Sequence, residues 1–285
     1  MLAAAQAIAA AEIELEGTLA IAAVPGEESG GWGTKSMVNR RDWDAVVIGE
    51  PTQLSINPAC NGITAFWIKI LGQSAHASTP EKGINAIDNM LVVLNALEKY
   101  KEKLRSREHP LTGIPAFVSC IISGGWRDAV VPDECKLLVS THLVPGETVE
   151  SRLAEVMEML KELNKKDPEL TAEVLDLTDR PITLPLPKPG PHTLRLDPTE
   201  ISVDEPIVRA MLQASKDALG KELPIRGSRY ACDSPYLVNE GKIPTLVFGP
   251  GSIDQAHREN EWVEVEQLVD AAKVYAIAAI RFLKG

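Results

Sequence analysis

Apolar and polar residues alternate along the first third of the chain in blocks that predict a helix, a strand, a second helix and a second strand. An apolar run at 18–24 predicts a buried strand, and another at 45–48 predicts the next one. The predicted helices cover 1–11 and 35–40. Strands that alternate with helices are typical of βαβ units, so this part of the chain indicates an α/β fold.

After residue 58 the pattern changes to longer strands with partial alternation and two amphipathic helices. The predicted order is β-α-β-β-α-β, which is that of a ferredoxin-like domain. These elements are a strand at 63–70, a helix at 85–105, strands at 116–122 and 136–143, a helix at 148–164 and a strand at 170–177. We therefore predict an inserted domain at 58–179, between the two parts of a first domain at 1–57 and 180–285.

The last third begins with a proline-rich stretch at 180–198, which predicts a linker back to the first domain. A helix at 206–219, a strand at 245–248 and a helix at 265–283 follow it.

Composition and charge narrow the possible functions. The net charge of −11 argues against a nucleic-acid partner, because binding phosphates favours a basic patch. No apolar run reaches membrane-spanning length, and the first helix lacks the basic residues that begin a signal peptide. The cysteines have no Cys-x-x-Cys spacing, which predicts reduced core thiols in a cytoplasmic protein. They are Cys60, Cys120, Cys135 and Cys232.

Carboxylates follow both predicted strands of the first domain. Glu27 and Glu28 come after the first strand, ahead of Gly30-Gly31, and Glu50 comes after the second. In open α/β sheets ligands bind at the carboxyl ends of strands. Taken alone, however, the Glu27-Glu28 pair is more typical of a solvated turn, and Glu50 of a plain strand end.

Two further segments complete a pattern of four. One contains Gly72-Gln73-Ser74-Ala75-His76-Ala77 followed by Gly83-Ile84-Asn85-Ala86, and the other contains Gly249-Pro250-Gly251 followed by His257. In this order the four segments resemble those of the aminoacylase-type metallopeptidases, which include acetylornithine deacetylase, succinyl-diaminopimelate desuccinylase and carboxypeptidase G. The resemblance covers nearly the whole chain. It implies an α/β zinc-peptidase-like catalytic domain with an inserted ferredoxin-like α+β dimerisation domain.

The resemblance also implies a role for each matched residue. Glu27 would be the general base that takes a proton from a metal-bound water and passes it to the leaving amine. Glu28, Glu50 and His257 would bind the metal, for which zinc is expected and cobalt or manganese is possible. His76 would act in the partner subunit's site, donating a hydrogen bond to the oxyanion. By themselves, His257 could be a surface histidine and His76 a capping one.

Three further predictions concern the substrate and the support of the metal. Gly249-Pro250-Gly251 could present backbone amides to a substrate carboxylate, or could form a plain tight turn. Asp233 falls where the family has a carboxylate beneath the site, which predicts that it supports a metal ligand. A structural ion pair with Arg229 would explain its presence equally well. His142 stands where the family often has an arginine, which leaves recognition of a substrate carboxylate open.

The chain departs from the family pattern upstream of Glu27. The family places a His-x-Asp segment and a Gly-x-x-Asp-x-Lys-Gly segment there, and the chain has neither. We therefore expect a catalytic domain that is incomplete at its N-terminus, holds one zinc ion or none and has impaired activity.

The function expected of such a protein is hydrolysis of the amide of an N-acyl amino acid or a small peptide by a metal-dependent homodimer. The rival interpretation is a non-catalytic dimeric remnant, or a binding module, that keeps the fold without a complete metal site.

Overall fold

The computed structural model describes residues 1–38, 40, 42–182 and 194–284. The chain forms two compact units. The first comprises Met1–Asn61, Pro110–Thr112 and Thr199–Gly285, and the second comprises Gly62–His109 and Gly113–Pro198. Most of the proline-rich stretch predicted as a linker lies outside the described residues.

Both units contain helices and strands. The helices are α1 (Leu2–Ala10), α2 (Trp32–Val38), α3 (Ala86–Arg105), α4 (Val149–Lys166), α5 (Pro206–Leu219) and α6 (Val265–Phe282). The strands are β1 (Val46–Ile48), β2 (Ile56–Cys60), β3 (Gly62–Leu71), β4 (Phe117–Gly124), β5 (Glu134–Leu143), β6 (Thr171–Leu175), β7 (Arg195–Leu196), β8 (Thr199–Glu200), β9 (Ile225–Ser228) and β10 (Thr245–Val247).

The first unit is built on a mixed sheet with the order β1-β10-β2-β8, in which β9 also pairs with β2. β1 runs parallel to β10, whereas β10 runs antiparallel to β2. The helices α5 and α6 pack against each other, and α5 also contacts β2 and β10. Their apolar positions recur at helical spacing and bury a core with the sheet. This core includes Ile56, Val208, Met211, Leu246, Phe248 and Val274.

The second unit has the predicted ferredoxin-like order of elements. Its antiparallel sheet has the order β4-β5-β3-β6, with β7 also paired to β3. Along β3 buried residues alternate with half-buried ones, as expected for a strand with one face on the core. The core includes Phe66, Ile68, Met90, Leu97, Leu153 and Val156, contributed by β3, α3 and α4.

The strand predicted at 18–24 is absent. These residues form no strand and take part in no backbone hydrogen bond among the described residues. Leu19, Ile21 and Val24 are 40%, 38% and 37% exposed. An apolar run is necessary for a buried strand, but a strand also needs a neighbour for its N–H and C=O groups, and this run has none. The prediction was therefore wrong for this segment.

The cysteines are all free thiols. Cys60, Cys135 and Cys232 are buried as predicted, but Cys120 is exposed. The prediction of a core thiol fails there because Cys120 lies on β4, most of whose side chains are exposed. None of the described helices has the length and apolar character needed to cross a membrane.

Candidate active site

The loop that carries Glu27 and Glu28 is shaped by glycines. Residues Glu27–Ser29 form a single 3₁₀ turn between Gly26 and Gly30, whose φ angles are 84° and 105°. Such left-handed conformations favour glycine, because a Cβ would clash with the backbone. The amide of Gly31 donates to the Gly26 carbonyl at 2.8 Å. The closed loop leaves both carboxylates exposed.

Asp233 anchors this loop from below. It is only 6% exposed and accepts a hydrogen bond from the hydroxyl of Thr34 at the start of the chain's second helix. The hydroxyl of Tyr236, in a π-helical turn at Tyr236–Glu240, donates to the Gly30 carbonyl at 3.1 Å. A Cβ on Gly31 would lie 2.3 Å from Asp233 Oδ1. The loop and Asp233 are therefore in direct contact.

Glu50 is positioned by the parallel pairing of β1 with β10. The amide of Phe248 donates to the Ile48 carbonyl at 2.9 Å, which extends the pairing one residue past the end of β10. Gly249 then lies so close that a Cβ there would come within 2.5 Å of the Glu50 carbonyl oxygen. Glu50 itself is half-buried. The sheet thus holds this carboxylate at the strand end, as the sequence predicted.

Burial and the charges of the acidic side chains raise the pKa values of Glu50 and Glu27. Burial, reinforced by the charges of Glu27, Asp233 and Glu28, raises the pKa of Glu50 to about 7. Partial desolvation followed by the charges of Asp233 and Glu28 raises the pKa of Glu27, against the opposing effect of His257. Burial also raises the pKa of Asp233, although Thr34 and Lys35 oppose the shift. A cluster of carboxylates that repel one another in this way is stabilised by a cation.

His257 lies close to Glu28, within the first unit. Its Nε2 lies 3.9 Å from Glu28 Oε1, and both side chains are 77% exposed. His257 has a φ of 60°, in the left-handed region where histidine is more common than most residues. The short turn before it, Ile253–Gln255, is capped by the side chain of Ser252. The structure thus brings together two of the three predicted metal ligands.

The chemistry of these donors fits a divalent cation such as zinc, since carboxylate oxygen and imidazole nitrogen are its usual ligands after sulfur. Glu28 and His257 would hold it, with Glu50 on the neighbouring strand end. Among the described residues, however, no three potential ligands converge closely enough to enclose an ion. These residues therefore offer the donor atoms that zinc prefers, but only one pair of them, Glu28 and His257, is shown to lie close together.

The amides of the Gly249-Pro250-Gly251 segment are already used within the protein. The N–H of Gly249 donates to Thr52 Oγ1 at 3.1 Å, and that of Gly251 donates to Gln267 Oε1 at 2.9 Å. Proline has no N–H to offer. Both amides thus have acceptors within the protein, as in the alternative of a plain tight turn, and the substrate-binding role of the segment stays a prediction.

His76 and His142 lie in the second unit. His76 is exposed, and its Nδ1 accepts the backbone N–H of Ser78 at 3.1 Å. His142 lies on β5 opposite Ile63, and its backbone N–H donates to the Ala116 carbonyl at 2.8 Å. Their roles in catalysis and substrate binding stay predictions.

Sequence reasoning missed the residues that support Asp233. Asp233 is hydrogen-bonded to Thr34, which is 3% exposed, where the sequence had suggested an ion pair with Arg229. The ammonium group of Lys35 lies 4.4 Å from the centre of the Tyr236 ring. Asp233 and Thr34 are 199 residues apart in the chain, so no local pattern joins them.

Known proteins resemble this chain in sequence and in fold. It is 30% identical over 285 residues to the N-formyl-4-amino-5-aminomethyl-2-methylpyrimidine deformylase of Bacillus subtilis (strain 168), which covers 93% of this chain and 64% of that protein. It is 31% identical over 223 residues to an acetylornithine deacetylase of Aliivibrio fischeri (strain ATCC 700601 / ES114), with 77% and 53% covered. The chain thus spans less than two thirds of the length of these relatives.

Solved structures share the fold at low sequence identity. Aminopeptidase PepT from Bacillus cereus ATCC 10987 superposes with a TM-score of 0.73 at 19% identity, over 99% of this chain and 68% of that one. Human carnosine dipeptidase 1 gives a TM-score of 0.65 at 16% identity, over 99% and 70%.

The model of one protein family accounts for nearly the whole sequence. It is described as Peptidase family M20/M25/M40, and it matches residues 1–281. This match and the relatives above confirm the resemblance that the four sequence motifs indicated. The chain belongs to Peptidase family M20/M25/M40.

Proposed function

We propose that this chain carries the catalytic centre of a metal-dependent hydrolase that cleaves the amide of an N-acyl amino acid, a related N-acyl amine or a small peptide. One observation carries the proposal. Burial and the charges of Glu27, Asp233 and Glu28 together raise the pKa of Glu50, which follows β1, and His257 lies beside Glu28. Perturbed carboxylates grouped in this way are typical of acid–base centres.

In this mechanism Glu27 moves the proton. It accepts a proton from the water whose oxygen attacks the acyl carbon, and it delivers that proton to the amine nitrogen as the C–N bond breaks. Zinc, or cobalt or manganese in its place, would supply Lewis-acid polarisation of the acyl carbonyl, held by Glu28, Glu50 and His257. Asp233 supports Glu27 indirectly, because it fixes the loop through Gly31.

His76 is suited to bind an oxyanion. Since its Nδ1 accepts the Ser78 N–H, the neutral ring carries its proton on Nε2, where it is a donor. We propose that this N–H stabilises the negatively charged oxygen of the tetrahedral intermediate in the partner subunit's site. The exposure of His76 supports that role, since a donor to another subunit must be accessible.

The relatives define two classes of substrate to test. One is named for a formylated aminomethylpyrimidine and the other for an acetylated aliphatic amino acid, so both names describe removal of a small acyl group from an amine. We propose that this chain acts on a small acyl amide of the same kind. His142 is a candidate to contact the rest of the substrate.

The proposal includes assembly as a homodimer in the cytoplasm. Support for the dimer comes from the edge strand β4, which carries Val118, Ile121 and Ile122 at 51%, 52% and 56% exposure. An edge strand with apolar residues is suited to pair with a second copy of itself. Free thiols support the cytoplasm, where cysteines stay reduced.

The decisive experiment compares a base with a ligand. Release of formate or acetate from N-formyl and N-acetyl substrates is measured on the full chain with added zinc, cobalt or manganese. Glu27→Gln should lower turnover by at least about a hundredfold and retain the metal, because the amide keeps the shape but cannot take a proton. Glu28→Gln should instead lose metal, as should His257→Asn.

Glu16→Gln, an exposed glutamate in the same unit, is the control and should match the unsubstituted protein in both measurements. If Glu27→Gln empties the metal site, the roles of base and ligand are exchanged. If no metal restores hydrolysis of any substrate, the rival interpretation of a non-catalytic remnant is favoured.

A further inference from the structure

Trp32 stands out among the residues around the proposed base. It begins α2, directly after the loop that carries Glu27 and Glu28, and it is 57% exposed. Single exposed apolar side chains are common on protein surfaces and need no function. The surroundings of Trp32 distinguish it from that ordinary case.

The indole ring lies with one face against Gly26. A Cβ on Gly26 would be 2.1 Å from Nε1 of Trp32 and 2.6 Å from both Cδ1 and Cε2. A position so close to Nε1 and equally near to its two ring neighbours lies above the plane of the indole at Nε1 and not at the ring edge. Gly26 covers the ring near Nε1, and with 57% of the residue exposed a large part of the indole is left accessible to a ligand.

The backbone around Trp32 is held on both sides. The amide of Gly33 donates to the Pro25 carbonyl at 3.2 Å, and that of Lys35 donates to the Gly31 carbonyl at 3.0 Å. Any side chain at Gly26 would displace the indole, so the glycine makes this contact possible. The indole is therefore a flat aromatic surface in a defined position, next to the loop that carries Glu27.

We propose that Trp32 is a stacking platform for the amine part of the substrate, and that the preferred substrate is therefore an N-acyl amine with a planar heteroaromatic ring. This inference rests on the proposed function and specifies its substrate class. Offset stacking of a ring on an indole face gains dispersion and quadrupole energy that an aliphatic chain cannot match.

Binding can be tested without turnover. Isothermal titration of the full chain uses 4-amino-5-aminomethyl-2-methylpyrimidine as the aromatic probe and ornithine as the aliphatic one. For the aromatic probe, Trp32→Ala should weaken binding about tenfold, within the range known for loss of a stacking side chain. Trp32→Phe should recover most of that loss, since it keeps an aromatic face. Ornithine should bind Trp32→Ala and the unsubstituted chain equally.

Two other tryptophans test whether the effect belongs to this position. Trp126, 68% exposed in the second unit, is the control, and Trp126→Ala should leave both affinities unchanged. Trp262, 58% exposed and five positions after His257, is the competing platform. A larger loss with Trp262→Ala than with Trp32→Ala would overturn the inference.

The inference also fails if the unsubstituted chain does not bind the aromatic probe, or if Trp32→Ala weakens both probes alike. Neither result concerns amide cleavage, which the formate and acetate assays measure. Conversely, probe binding that depends on Trp32 in a chain that hydrolyses nothing would support the platform and reject the proposed hydrolase.

Discussion

Glycines determine which side chains meet at the candidate active site. Gly26 admits the face of Trp32, Gly31 admits Asp233 and Tyr236, and Gly249 admits the backbone of Glu50. At each position a Cβ would lie closer than 3 Å to one of these neighbours, which is nearer than packed atoms approach. At the scale of single residues, the site therefore requires glycine at these three positions as much as it requires its acidic side chains.

Gly31 provides a direct test of this close packing. We expect Gly31→Ala to destabilise the protein more than Gly220→Ala, although both glycines have a left-handed φ, of 62° and 68°. At Gly220 a Cβ meets nothing within 4 Å, so only the backbone strain remains, worth about 1 kcal/mol. At Gly31 the collision with Asp233 and Tyr236 should add about 1–3 kcal/mol.

Urea unfolding of both variants measures the difference. Equal losses of unfolding free energy would show that the loop moves away from Asp233 at little cost, and that their contact does not hold the loop.

At the scale of elements, the second unit is joined by charges between its two helices. Arg107, just after α3, donates to both carboxylate oxygens of Glu155 on α4, at 2.8 and 2.9 Å. It also donates to Glu147, which in turn accepts two hydrogen bonds from the buried Arg152. Tyr100 of α3 donates to Glu155 at 2.6 Å. Paired charges of this kind hold the ends of the helices in register.

The network predicts a specific dependence of stability on pH. Burial alone would raise the pKa of Glu155, but hydrogen bonds from Tyr100 and Arg107 outweigh it and hold the pKa below its usual value. The ionised carboxylate therefore stabilises the fold above the ordinary pKa of glutamate, and this stabilisation is lost as the pH falls through the lowered value. Glu155→Gln should thus be less stable than the unsubstituted chain at neutral pH, and the difference should shrink in acid.

Urea unfolding at about pH 7, 5, 4 and 3 follows this difference across the titration of a carboxyl group. Glu158→Gln is the control, since Glu158 on the same helix is 59% exposed and forms its ion pair with Lys161, one turn away. A difference for Glu155→Gln that stays constant down to the lowest pH would show that charge does not contribute.

At the scale of the whole molecule, each unit has its own sheet and its own core. The first unit contains the acidic residues of the candidate site and His257, and the second contains His76 and the apolar edge strand β4. In the proposed homodimer the second unit would therefore supply both the interface and a catalytic donor. That division of roles makes the assembly state a test of the mechanism.

We expect the chain to sediment as a dimer at micromolar concentration and Ile122→Lys to dissociate it. A lysine on the exposed face of β4 would have to be desolvated in the interface, so the dissociation constant should rise at least tenfold, to judge from typical effects at interface centres of about 2 kcal/mol. Val203→Lys is the control, since Val203 is an exposed apolar residue of the first unit, at 43%. Analytical ultracentrifugation decides the question, and a monomeric unsubstituted chain would contradict it.

Much of the fold could be predicted from the sequence, because a helix or strand with one buried face has apolar residues at regular intervals along the chain. The helices α3, α4, α5 and α6 lie within a few residues of their predicted limits, and the order of elements in the second unit was predicted as found. The side chains of Asn85 and Thr148 cap α3 and α4, which begin one residue after them. The motifs around Glu27, Glu50 and His257 were likewise sufficient to indicate the family.

What only the tertiary structure decided depends on partners that are distant in sequence. The apolar run at 18–24 is typical of a strand, but the local sequence does not say whether its backbone has a neighbour to pair with. Among the described residues it has none. The hydroxyl of Thr34 reaches Asp233 across 199 residues, and the glycine amides at 249 and 251 are claimed by Thr52 and Gln267. The raised pKa of Glu50 also arises from burial and from charges that the fold brings near. Periodicity is a local property of the chain, whereas hydrogen-bond satisfaction and electrostatics are properties of the assembled fold.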